Sequence, residues 1–428
     1  MNYYSTRDHS FKFPFEHAIY MGPAPDGGLF MPEIVPLVSK HFIETIEQNA
    51  LREIAFEILR PYISMPDVDL QKILFNAFSF PAPVHNAGDG YRFLELWHGP
   101  TLAFKDFGAR FMAQTMSYYR PANQEVNILV ATSGDTGGAV ASAFSGLEGF
   151  RVYILFPKGK VSALQQKQLT TWKSNIKSIE VNGTFDDCQK LVKTAFADKS
   201  LREHKVFGSA NSINISRLLP QMIYYFEAYR QSPDKTNLSI IVPSGNFGNL
   251  TAGLLAKRMG LPIHHFIAAT NANDVVPEYL LSSRYHARPS RETLSNAMDV
   301  GDPSNFVRML DLYRGEDDRS TWNTMRRDIQ QHVVSDDQTI RNIRQVWDAY
   351  GYLIDPHTAV AYEAAKERAG ENHIIVSTAH WAKFIDTIKK AIGPDLPEIP
   401  QSLSDLMNKE EKFDQIGIKY DELKDIIK

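Results

Sequence analysis

A chain of 428 residues with 46 Lys+Arg against 50 Asp+Glu carries a formal charge of −4, which leaves no basic surplus to hold a nucleic-acid backbone or an anionic membrane. At 43% hydrophobic and 22% charged, with 25 Gly and 23 Pro, it is composed like an ordinary folded protein of two or three domains and unlike a disordered, collagen-like or coiled-coil one. The single cysteine, Cys188, excludes an internal disulfide and cannot build a zinc site alone, so a reduced, intracellular setting is expected.

Met1–Asp8 has no apolar stretch behind a basic start, and no apolar run approaches the roughly 18 residues of a membrane span. A cytoplasmic protein with no membrane or nucleic-acid partner is expected. Residues 1–90 read as an N-terminal accessory domain of mixed character. The apolar periodicity of residues 42–59 predicts one amphipathic helix. The Pro-, Asn- and Gly-rich stretch Pro81–Gly90 predicts a break at a domain boundary.

Beyond it a grammar repeats: a short apolar run, a glycine turn, an amphipathic helix. Val126–Ala131 enters the turn 132–138 and a helix over 139–147, and Arg151–Phe156 and Ser178–Val181 are further strands. Thr184 and Asp187 have capping-box spacing for a helix through Phe196. Leu238–Val242 enters Pro243–Gly248 and a helix over 249–259, and strands over 263–269 and 374–377 complete the set. Alternating strands and helices predict parallel sheets buried on both faces, in an α/β lobe at 91–235 and a second at 236–395. A solvated helical tail is expected over 396–428. Ligands of such sheets bind at the carboxyl ends of the strands, where the glycine turns lie.

Five constellations carry chemistry. Lys105 stands in the apolar and aromatic segment His98–Gly108 just before a helical pattern. Burying an ammonium lowers its pKa and frees its lone pair, as a Schiff-base lysine requires, whereas the commoner fate of a lysine is to snorkel at the surface. In Ser133-Gly-Asp135-Thr136-Gly137, glycines and hydroxyls near a helix start suit a carboxylate. Gly245-Asn246-Phe247-Gly248-Asn249 follows another strand, and its amides with the helix dipole suit a phosphate. Ser212, Asn214 and Arg217 form a donor cluster for a second phosphate, or simply a capped helix start. Thr378, at the end of the last strand, either faces a ligand or caps a helix. His264-His265 lacks partners at metal-ligand spacing, so no metal is expected.

Taken together and in this order, these segments resemble the threonine synthase family, in its longer microbial branch. The resemblance runs from Tyr4–Arg7 through Asp26–Phe30 and His98–Gly108 to Ser377–Phe384. It implies a fold type II, tryptophan-synthase-β-like architecture: two three-layer parallel-sheet lobes with pyridoxal 5′-phosphate between them, plus the N-terminal extension. It implies that Lys105 holds the cofactor as a Schiff base, that Gly245, Asn246, Phe247, Gly248 and Asn249 wrap its phosphate, that Asp135 faces its ring hydroxyl and Thr378 its ring nitrogen. Ser133 and Thr136 would take the substrate carboxylate. Ser212, Asn214 and Arg217 would bind the substrate phosphate, with Lys160 a weaker candidate.

The implied reaction converts O-phospho-L-homoserine and water to L-threonine and phosphate, the Lys105 amine moving protons at Cα and Cβ, by a monomer or homodimer. Two departures from the family pattern stand out: Trp381 in place of proline and Asn249 in place of aspartate. A phospho-lyase releasing a 2-oxoacid is the competing enzyme, and a phosphometabolite-binding protein with an idle lysine is the competing non-enzyme.

Overall fold

The computed structural model describes residues 1–122, 124–172 and 175–428. Three short strands, β1 (Asn2–Ser5), β2 (Lys12–Pro14) and β3 (Phe30–Pro32), form an antiparallel sheet of order β2-β1-β3. The helix expected over residues 42–59 is instead three pieces: Lys40–Glu44, a 3₁₀ turn at Ile46–Gln48 and Leu51–Leu59. The break has a local cause. Asn49 Nδ2 donates to the Thr45 carbonyl at 3.1 Å and Ala50 is extended (ψ 160°), so a side chain competes for the backbone acceptor that a continuous helix would use.

The Pro81–Gly90 stretch corrects a second expectation. It does not break every element, because it opens a hairpin of β4 (Val84–Gly88) and β5 (Tyr91–Glu95). Its turn residues Asp89 and Gly90 have φ of 51° and 82°, as the mirror-image turn of a tight hairpin demands. The Asp-Gly pair is the sequence signal for this turn.

The next strands are β6 (Val126–Ala131), β7 (Phe150–Pro157), β8 (Ile176–Val181) and β9 (Val206–Ser209), then β10 (Ser239–Pro243), β11 (Phe266–Thr270), β12 (Ile329–Val333) and β13 (His373–Ser377), and last β14 (Asp414–Ile416). They sort into a five-stranded sheet, β14-β8-β7-β6-β9, parallel throughout, and a six-stranded sheet, β12-β11-β10-β13-β5-β4, parallel except at the β4 edge. Residues 84–95 therefore lie in the sheet of the second lobe, beside β13, rather than at the start of the first.

The central strands read as near-continuous apolar runs because both faces are covered: every residue of β6, β10, β11 and β13 is buried. The capping box at Thr184 is present, with Asp187 N donating to Thr184 Oγ1 at 3.2 Å, and starts the helix Phe185–Ala197. Cys188 is buried in that helix. The C-terminal tail is not merely solvated. β14 closes the edge of the smaller sheet beside β8, and the helix Tyr420–Ile427 buries Leu423 and Ile427 in the same apolar cluster as Cys188 and Leu191.

Candidate active site

Lys105 is the first residue of the helix Lys105–Tyr119. The segment before it is stitched to the loop after β13 by two backbone bonds, Phe104 N to Thr378 O (2.8 Å) and His380 N to Leu102 O (3.1 Å). Leu102 adopts φ 55°, a left-handed conformation that a branched side chain accepts only under tertiary constraint. Inside the turn, Asp106 is buried and accepts from Thr101 N (2.9 Å) and Thr101 Oγ1 (2.8 Å). Burial raises its pKa to about 6 despite those bonds. These constraints aim Lys105 into a cavity of about 130 Å³. Desolvation, with Arg217 and Lys383 adding repulsion, lowers its pKa to about 8 against the pull of Asp135.

Twelve of the residues expected at the site line that one cavity: Lys105, Ser133, Asp135, Thr136, Ser212, Arg217, the run Gly245–Asn249, and Thr378. The loop after β10 is shaped to present amides. Phe247 sits at φ 59° and does not cap the helix Gly248–Arg258; Leu250 N donates to Asn249 Oδ1 (2.9 Å), and the N–H groups of Gly248 and Asn249 remain for a ligand. A Cβ on Gly245 would lie 2.5 Å from Met298 Cα. Asn249 turns its amide to the Pro243 carbonyl (2.8 Å), which closes the loop and accounts for an amide serving at this position.

The turn after β6 is built differently. Thr132 Oγ1 accepts from Gly134 N (3.0 Å) and Gly137 N (2.9 Å). Asp135 is buried, and its Oδ1 takes Gln165 Nε2 (2.9 Å) and Lys383 Nζ (2.7 Å). Burial alone would raise the Asp135 pKa; the ammoniums of Lys383 and Lys105 outweigh it and hold the carboxyl well below its usual range.

Arg217 is buried, its pKa lowered to about 10 by desolvation. One terminal nitrogen donates to the Ala210 carbonyl (2.5 Å), and among the described residues its Nε has no partner. The residue lines the cavity while Nε packs beside Gly108 of the Lys105 helix, and a buried guanidinium at a cavity wall suits an anion. Ser212 is tied to Asn246 across the lobes, Asn246 Nδ2 donating to its hydroxyl at 2.5 Å.

Two expected residues do not reach the cavity. Asn214 is the cap of the helix Ile215–Leu218: its Oδ1 accepts from Ser216 N (2.9 Å), and its Nδ2 donates to Ile19 O (2.7 Å) and Ser209 O (2.8 Å). The capping alternative holds there, and the side chain braces the loop carrying Arg217. Lys160 is exposed and pairs with Glu292 at 2.8 Å. Thr378, by contrast, is not a cap. His380 caps the following 3₁₀ turn, accepting from Ala382 N at 3.2 Å, and Trp381 begins that turn without the pre-set φ of a proline.

Several site residues were not singled out. His357 lines the cavity; its Nδ1 lies 2.6 Å from the fully buried Asp355, and its Nε2 accepts from Ala297 N (3.2 Å), so it anchors the loop against which Gly245 packs. Arg308 is fully buried and donates to the carbonyls of Phe30 (3.1 Å), Ser212 (3.3 Å) and Ile213 (2.7 Å), joining the N-terminal unit to the anion loop. Lys383 follows Thr378 within an apolar stretch, the same pattern that marks Lys105. The cavity opens into a cleft of about 1730 Å³ to which Thr6, Arg7, Gly27 and Gly28 of the N-terminal unit contribute.

The donor set fits pyridoxal phosphate: a partly desolvated lysine, an uncapped helix start and an ionised carboxylate converge on one cavity, and a lone guanidinium stands near. Residues 83–377 match the family described as pyridoxal-phosphate dependent enzyme, residues 2–78 the threonine synthase N terminus, and residues 358–427 the threonine synthase C-terminal region. The chain is 44% identical to the threonine synthase of Haemophilus influenzae over 99% of this chain and 97% of that one, and 43% identical to that of Escherichia coli K12 over 95% and 94%. The crystal structure of threonine synthase from Escherichia coli superposes with a TM-score of 0.93 at 41% identity, covering 100% of this chain and 99% of that one. A pyridoxal-phosphate-bound threonine synthase from Brucella melitensis gives 0.93 at 35% identity, covering 100% and 98%. Maize serine racemase, 17% identical with a TM-score of 0.53 over 77% of this chain and 92% of that one, shares the fold alone. With its geometry and its likeness in agreement along the full length, the chain belongs to the threonine synthase family of pyridoxal-phosphate-dependent enzymes.

Proposed function

We propose that this chain converts O-phospho-L-homoserine and water to L-threonine and phosphate in the cytoplasm. The observation that carries the reading is the meeting, in one cavity, of a lowered-pKa lysine, a helix N-terminus with open amides and a buried arginine. One group suits a carbonyl, one a first phosphate and one a second. The cofactor, when bound, supplies an electron sink for negative charge developing on the substrate.

Everything else falls to the protein. The first-turn amides after Phe247 hold the cofactor phosphate, and Asp135 and Thr378 orient the ring from opposite strands' ends. Ser133 and Thr136 take the substrate carboxylate, and Arg217 with Ser212 takes the substrate phosphate. An amine with a pKa near 8 is partly unprotonated at neutral pH, so Lys105 can accept and return protons at neighbouring carbons, as a general acid–base must. The substrate phosphate sits beside Arg217 in the reading that separates it from a simple amino-acid lyase.

Incubation with phosphohomoserine, following phosphate release and product identity by NMR, tests the proposal. Threonine and phosphate in equal amounts are expected. Formation of 2-oxobutyrate without threonine would replace it with the lyase reading.

A further inference from the structure

Lys383 is a fully buried ammonium to which the reaction outlined above gives no part. Its Nζ lies 2.7 Å from Asp135 Oδ1 and 2.9 Å from the Thr101 carbonyl, and its own carbonyl accepts from Ser162 Oγ at 2.8 Å. Thr101 heads the turn that aims Lys105, Asp135 belongs to the turn after β6, and Lys383 itself lies five residues beyond Thr378. One side chain therefore gathers the three segments that carry Lys105, Asp135 and Thr378. The charged and titratable groups facing it are Asp135 and, within electrostatic reach, Lys105, Asp106 and His380, with Gln165 sharing Oδ1 of Asp135. A carboxylate so buried stays ionised only with a cation beside it, and an amine held for covalent chemistry cannot serve permanently as that cation.

We infer that Lys383 is a positioning residue of the cofactor site: it clamps the Lys105, Asp135 and Thr378 segments together and is the standing counter-ion that keeps the Asp135 carboxylate charged beside the cofactor. The inference rests on the reading that Lys105 carries pyridoxal phosphate, and the test separates the two.

Holoenzyme reconstituted with pyridoxal phosphate is titrated with pH while its visible cofactor band is followed, for wild type, Lys383→Met, Asp135→Asn and the double variant. Removing the ammonium alone leaves a bare carboxylate near the Lys105 nitrogen, which favours the protonated form there. The midpoint is expected to rise by about one pH unit, with cofactor affinity falling about tenfold. Breaking a buried pair from one side can prevent folding, whereas removing both partners strands no charge. If Lys383→Met does not fold, the double variant is compared with Asp135→Asn, and its midpoint is expected to be the higher of the two. A midpoint that does not rise, in the single variant or in that comparison, overturns the assignment, because a merely structural role would leave it in place. If instead Lys105→Ala retains the band, the reading of Lys105 is what fails.

Discussion

The two glycine turns of the site follow the same plan, an apolar parallel strand, a small-residue turn and a helix, yet they use opposite resources. After β6, Thr132 Oγ1 accepts from two of the turn's own amides, and the ligand-facing work passes to side chains, above all Asp135. Neither helix has a side chain on its N-cap bonded to its first turn, but after β10 Phe247 is left-handed and, with Leu250 N on Asn249 Oδ1, the amides of Gly248 and Asn249 are the offering. A turn that ties two of its amides to its own threonine leans on side-chain chemistry; one that keeps neighbouring amides open at a helix start recognises anions through its backbone. This explains why Asn249 can stand in for an aspartate while Asp135 is held by two partners.

The largest effect that bears on this contrast comes from the residue both turns serve. Lys105→Ala should abolish the visible cofactor band and lower turnover by about 10⁴-fold or more, measured by absorbance and phosphate release. Gly245→Ala challenges the backbone-made half. Its new Cβ meets Met298 Cα rather than a movable side chain, so backbone must shift, at a cost of about 1–3 kcal/mol. Cofactor affinity is expected to fall by roughly tenfold to a hundredfold in equilibrium titration; an unchanged affinity would mean the loop is not the cradle.

Arg217→Ala should cost about 1.5–3 kcal/mol of phosphohomoserine binding, seen as a raised KM with cofactor affinity kept, as for a charge-assisted contact. A lowered Lys105 pKa also sets a pH window. Unfolded, the amine holds its proton up to about 10.5; folded, it releases it near 8. Between those values the unfolded chain binds more protons, so apo-protein stability should rise with pH across that interval, and cofactor uptake should accelerate through about pH 8. Denaturant melts and stopped-flow reconstitution over pH 7–10.5 check both. The smallest effect is expected at Lys160, an exposed partner of Glu292: replacement by Ala should leave KM within about twofold.

Much of this was legible in the chain because its signals are local. A buried parallel strand is an uninterrupted apolar run, and a strand-to-helix glycine turn announces itself, which is why β6, β10 and β13 and the turns after them were placed within a residue or two. Asp89-Gly90 is equally local and was outweighed by the surrounding prolines. What could not be read was partnership across long separations. Asn214 has the residue type of a ligand and the contacts of a cap, and only the carbonyls of Ile19 and Ser209 decide between them. Nothing near Lys383 in sequence announces Asp135, 248 positions earlier. Arg308 is anonymous until Phe30 and Ile213 surround it.

The bridge joining Leu102–Phe104 to Thr378–His380 ties the lysine to a strand end formed late in the chain. During synthesis, the lysine and both glycine turns leave the ribosome well before the strand end that braces the lysine's segment. The fully braced site is therefore assembled only once nearly the whole polypeptide has emerged, so its final geometry reports on completed chains rather than growing ones.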